Sequence, residues 1–80
     1  MTAAEPLILY TRAHCHLCEQ VVAMLQIADV QWQAVDIDDD AELTERYGLQ
    51  VPVLAHPVSG QELFYPFDQQ CLQTFLDGGS

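Results

Sequence analysis

Cys15-His16-Leu17-Cys18 places two thiols three residues apart in a sequence whose one other cysteine is Cys71. On a helix that spacing is roughly one turn, so the sulfurs share a face and stand within reach of a disulfide. The thiolate is the reactive form of cysteine, and the unpaired N–H groups and partial positive charge of a helix N-terminus favour it. With Cys15 at such an end, the pair suits thiol–disulfide exchange. Cys15 then faces solvent as the nucleophile, and Cys18, tucked behind it, is the resolving thiol. A protonated imidazole on His16 would favour the Cys15 thiolate further.

Other chemistry competes for the same residues. His14 to Cys18 holds four potential metal ligands in five residues. Adjacent residues rarely converge on one tetrahedral ion, however, and structural zinc usually draws on two separated pairs, where this sequence has one. Cys71 falls on an apolar stripe and is expected to be buried and inert. The run Asp38-Asp39-Asp40 lacks the alternating ligands and closing glutamate of a calcium loop. Asp39 with Glu42 instead reads as a capping box opening a helix, supported by Glu42 and Arg46 four residues apart and ended by Gly48.

The elements that must position the cysteines follow from the hydrophobic pattern. Leu7 to Thr11 is a continuous apolar run, as in a strand buried on both faces in the middle of a sheet. From Cys15 the period lengthens, with Cys18, Val21, Val22, Leu25 and Ala28 forming the stripe of an amphipathic helix that ends near Ala28 or Asp29. Gln31 to Ile37 reads as a second strand carrying Trp32, Val35 and Ile37. Val51 to His56 and Glu62 to Tyr65 flank the turn Pro57-Val58-Ser59-Gly60 and form a hairpin. Pro66 stops the last strand, Asp68 caps a final helix, and Cys71, Leu72, Phe75 and Leu76 line one face of it. Residues 78–80 are expected to fray. The order is β-α-β-α-β-β-α. A first βαβ unit gives a parallel pair through a right-handed crossover, and the hairpin adds antiparallel strands.

Eighty residues, half of them hydrophobic, suit one domain spanning 1–80 with a core near the lower size for independent stability. The first apolar run is too short for a signal-peptide core or a membrane span, so a soluble, cytoplasmic protein is expected. An odd number of cysteines argues against a secreted disulfide framework and for one redox pair in a reducing compartment. Twelve acidic residues against two arginines and no lysine give a net charge of -10. Two separated arginines make no basic patch, which excludes nucleic acid and anionic membrane as partners. A negative field favours basic protein partners instead.

Taken together, Tyr10 to Cys18, Ala34-Val35-Asp36-Ile37-Asp38 and Leu49-Gln50-Val51-Pro52-Val53-Leu54 resemble three segments of the glutaredoxin-like branch of the thioredoxin superfamily, and the likeness covers nearly the whole chain. The resemblance implies an α/β thioredoxin/glutaredoxin-like fold, a four-stranded mixed sheet flanked by helices. It also implies a cis Val51–Pro52 bond opposite the cysteines, where the backbone of Val51 pairs with an extended substrate. Arg12 matches a basic residue that helps bind a carboxylate of glutathione, and His16 stands where glutaredoxins commonly carry proline. The family's Gly-Gly-x-Asp turn for the γ-glutamyl end of glutathione is replaced by Tyr65-Pro66-Phe67-Asp68, with Asp68 the one equivalent. Both glutathione, as a co-substrate, and a protein disulfide stay open as substrates, with no bound cofactor and a monomer expected. The alternatives are metal binding, an iron–sulfur cluster held through Cys15 between two subunits, and a binding module without catalysis.

Overall fold

The computed structural model describes residues 6–77, so the fraying expected of residues 78–80 lies outside the described residues. Strand β1 (Leu7–Thr11) leads into helix α1 (His16–Ala28), then β2 (Trp32–Asp36), a 3-10 turn (Ile37–Asp39) and α2 (Ala41–Tyr47). A second 3-10 turn (Gly48–Gln50) precedes β3 (Val53–Ala55), β4 (Glu62–Phe64) and α3 (Gln69–Leu76). The sheet order is β2-β1-β3-β4. β1 and β2 run parallel, with Leu7 opposite Trp32 and Thr11 opposite Asp36. β3 is antiparallel to both β1 and β4. This is the expected β-α-β-α-β-β-α fold with a four-stranded mixed sheet.

Alternation along β1 explains how one short sheet serves two cores, because successive side chains leave opposite faces. Leu7 and Leu9, with Leu54 across the ladder, are buried against Val21 and Leu25 of α1 and Leu72 and Phe75 of α3. Tyr10 and Val53, also paired, belong to the other face, where Ile37 and Tyr47 close a smaller core. The apolar run of β1 thus reflects a central strand covered on both sides.

Local capping places the helix ends. Asp29 ends α1 in the left-handed region (φ 57°, ψ 46°), a conformation that aspartate tolerates better than most side chains, and its N–H donates to the Gln26 carbonyl at 3.2 Å. β2 is shorter than the sequence pattern, because the Asp36 carboxylate accepts the Asp38 N–H at 2.9 Å and turns the chain into the 3-10 segment that takes up Ile37. That turn also corrects the cap of α2. Asp39 is used as its last residue, and Asp40 becomes the N-cap, accepting from the Glu42 N–H at 2.9 Å and the Leu43 N–H at 3.4 Å. Arg46 lies over the Tyr47 ring at 5.6 Å, and the ion pair found among the described residues is Arg12–Asp38. Gly48 ends α2 at φ +43° with open space where a Cβ would stand, so backbone conformation is what glycine provides there.

Cys71 is exposed, contrary to the buried position expected of it. The inward stripe of α3 centres on Leu72 and Phe75, and a residue adjacent to Leu72 is rotated by about 100° from it. Cys71 consequently lies on the rim of a shallow groove with Leu63, Thr74 and Phe75.

Candidate active site

The path from β1 into α1 sets up the cysteine pair. His14 adopts the left-handed conformation (φ 60°), which histidine visits more readily than most residues, and Cys15 returns to extended backbone as the N-cap of α1. From that position Cys15 Sγ accepts the Cys18 N–H at 3.1 Å, the contact that a serine or aspartate cap usually makes. The two cysteines form a disulfide, with their Cα atoms 5.3 Å apart. Cys18 is 5% exposed and packs into α1's buried stripe, whereas Cys15 is half-buried at the helix tip. His16 and Leu17 between them are exposed.

Arg12 stands just past the end of β1, and its guanidinium is held within the chain. Nη2 donates to Asp38 Oδ1 at 3.0 Å, Nε to Asp38 Oδ2 at 3.4 Å, and Nη1 to the Gly48 carbonyl at 3.3 Å. One side chain thereby ties the end of β1 to both 3-10 turns. The second of these turns delivers Val51 and Pro52, which are joined by a cis bond as the resemblance implied. Pro52 is fully buried, Val51 is half-buried, and the Pro52 carbonyl accepts the Tyr65 N–H at 3.4 Å.

Val51 and the cysteine motif meet at an open groove lined by Leu17, Gln50, Val51, Phe64, Tyr65 and Pro66. The sequence marks Tyr65 and Pro66 as part of the turn that replaces the family's glycines, but assigns neither them nor Phe64 to the site. Their signal lay in the substitution of the glycine turn by bulkier residues and in Phe64 alternating outward on an edge strand. Tyr65 is fixed by its hydroxyl, which donates to Gln20 Oε1 of α1 at 2.9 Å, and Tyr65–Pro66 is a second cis bond. Asp68 does not line this groove. It caps α3, accepting the Cys71 N–H at 2.8 Å, and that hydrogen bond holds its carboxyl below the usual carboxylate range. On the opposite face, burial first and then a hydrogen bond to the Glu62 carboxylate raise the Tyr47 phenol above its ordinary value. Among the described residues no three His, Cys, Asp or Glu side chains gather into a group that could hold a metal ion.

Comparison with known proteins agrees with this fold. The model of the glutaredoxin-like domain family (DUF836) matches residues 6–77. The chain belongs to this glutaredoxin-like family. The crystal structure of protein XcR50 from X. campestris is 49% identical over 90% of this chain and 96% of that one, with a TM-score of 0.82. The solution structure of XcR50 gives 48% identity, 92% and 95% coverage, and the same TM-score. Protein Ne2328 from Nitrosomonas europaea is 29% identical, with 94% of each chain covered and a TM-score of 0.78. No curated protein matches the chain. As in the family name, the likeness to glutaredoxin is one of fold and of the Cys-x-x-Cys pair at the start of α1. No helix among the described residues is long and apolar enough to cross a membrane.

Proposed function

We propose that this glutaredoxin-like protein is a thiol–disulfide oxidoreductase in which Cys15 attacks and Cys18 resolves. The observation that carries the reading is the unequal placement of the two sulfurs: Cys15 caps α1 and reaches its surface, while Cys18 is buried one turn on. In the reduced protein the N–H groups of the first turn stabilise negative charge on Cys15 Sγ. The Cys15 thiolate attacks one sulfur of a substrate disulfide, the substrate S–S bond breaks, and the departing thiolate takes a proton from solvent. Cys18, deprotonated, then attacks Cys15 Sγ in the mixed disulfide, forming the intramolecular bridge and releasing the second substrate thiol. Two electrons and two protons pass from the protein dithiol to the substrate.

Around this couple, Val51 offers its backbone to an extended substrate segment, with the buried Pro52 behind it. His16 adds positive charge near Cys15 when protonated. Arg12 and Asp68 act at one remove in this reading, Arg12 through its hold on the turn before Val51 and Asp68 through the cap of α3. Disulfides of proteins and of glutathione are the substrates to compare.

The test is single-turnover reaction of the reduced protein with a model disulfide, followed by intact mass. Cys15→Ser is expected to abolish exchange, and Cys18→Ser to accumulate a mixed disulfide on Cys15. Alkylation of Cys15 at neutral pH should outpace that of an unstructured thiol. Wild-type exchange in Cys15→Ser, or a Cys15 alkylation profile identical to the unstructured thiol from pH 5 to 9, rejects the proposal.

A further inference from the structure

The groove beside the cysteines is largely apolar and exposed, and it sits in an acidic protein whose two arginines both stand outside its lining. Leu17 is 43% exposed and Phe64 42%, and the two converge there with Val51, Tyr65 and Pro66. Large apolar side chains held open to water next to a reactive centre are the usual mark of a binding surface. None of the side chains lining the groove is charged, so the field met there is that of the whole chain. Arg12 is taken by Asp38 and the Gly48 carbonyl, and Arg46 lies over the Tyr47 ring. The sequence has no further arginine and no lysine, and its net charge is -10.

Resting on the exchange reading above, we infer that the groove takes a polypeptide disulfide whose reacting cysteine is flanked by apolar and basic residues, in preference to glutathione. The apolar residues of such a segment cover Leu17 and Phe64. Its lysines or arginines are drawn in by the field of the whole chain. Glutathione offers neither feature. It carries two carboxylates on each half of its disulfide, finds no guanidinium lining the groove to receive them, and has no apolar side chain to fill it. Selectivity then comes both from attraction to the cationic peptide and from repulsion of the anionic one.

The reduced protein is reacted at pH 7 with four symmetrical disulfides: a short peptide carrying leucines and lysines beside its cysteine, the same peptide with glutamates for lysines, glutathione disulfide, and uncharged hydroxyethyl disulfide. Each rate is divided by that of dithiothreitol with the same probe, which removes the intrinsic reactivity of the disulfide. At low salt the lysine peptide is expected to exceed both the glutamate peptide and glutathione by at least about tenfold. Salt of about 0.5 M should shrink that lead to a fewfold or less, since these are solvent-exposed charges. Phe64→Ser should lower the ratio of lysine-peptide to hydroxyethyl-disulfide rates about threefold or more. Equal or faster reaction with glutathione, equal rates for the two peptides, or a ratio untouched by Phe64→Ser overturns the inference while leaving the exchange reading standing. Failure with all four probes, the uncharged one included, overturns both.

Discussion

At Tyr47 a buried phenol donates to the Glu62 carboxylate while its ring stacks on Tyr10 with centroids 4.5 Å apart, so one side chain joins α2 to β4 and to the central strand. Burial and the neighbouring carboxylate both penalise the phenolate, which places the folded-state pKa above the unfolded value. The stabilisation is therefore fully present below about pH 10, the unfolded tyrosine value, and is lost as pH rises further. Tyr47→Phe is expected to cost about 1–2 kcal/mol at neutral pH and to flatten the fall in stability between pH 9 and 11, read as urea midpoints across that range. An equal alkaline fall in both proteins would separate Tyr47 from the effect. Asp68 works at the other end of the scale. Its carboxyl is held low by the Cys71 N–H, so its contribution is present above the unfolded aspartate value near 4 and disappears as pH drops through the lower folded value. Asp68→Asn, which keeps a capping oxygen without the charge, should lose less stability than the native protein on going from pH 5 to pH 2. Identical acid profiles in the two proteins would reject that assignment.

The turns around the site are held by side chains that the sequence pattern places only to within a residue. Asp40 is the cap of α2, and Asp40→Ala should cost about 1 kcal/mol where Asp39→Ala costs little, a contrast measurable by chemical denaturation. A capping box on Asp39 follows from a single helix start; the preceding 3-10 turn, nucleated by Asp36, shifts the start by one residue. Arg12 presents the converse case. Its ion pair with Asp38 is part-exposed and worth at most about 1 kcal/mol to global stability. Local order is another matter, because the same guanidinium also holds the Gly48 carbonyl in the turn before Val51. Arg12→Ala should lower global stability by no more than about 1 kcal/mol and lower hydrogen-exchange protection over residues 48–53. Unchanged protection there would show that the brace carries no order. Strand and helix existence was legible because period and punctuation agree at β1, α1 and the hairpin. The groove was not, since it is assembled from a helix tip, a turn and an edge strand, and no sequence period joins Leu17 to Phe64 and Pro66. Cys71 was misplaced for a related reason: at the margin of a helical stripe, one step of about 100° decides between core and surface.

On the scale of the molecule, charge and fold pull in opposite directions. The described chain extends 35 × 23 × 19 Å, so at about 10 mM salt, where the screening length is about 30 Å, nearly every acidic side chain feels the others. Twelve acidic residues against two arginines make that sum repulsive, and compaction increases it. Added salt therefore has two effects of opposite sign. It weakens the Arg12–Asp38 pair, worth at most about 1 kcal/mol, and it relieves repulsion spread over the whole surface. The second effect is larger, because ten uncompensated charges contribute to it and one pair to the first. Raising sodium chloride from about 10 mM to 300 mM is expected to increase the thermal midpoint by several degrees, given that about 1 kcal/mol moves a domain of this size by roughly 4–8 °C. Replacing exposed Glu45 by lysine should raise the low-salt midpoint and reduce the dependence on salt. A midpoint that falls with salt would mean that specific pairing, rather than net repulsion, governs the electrostatics of this fold.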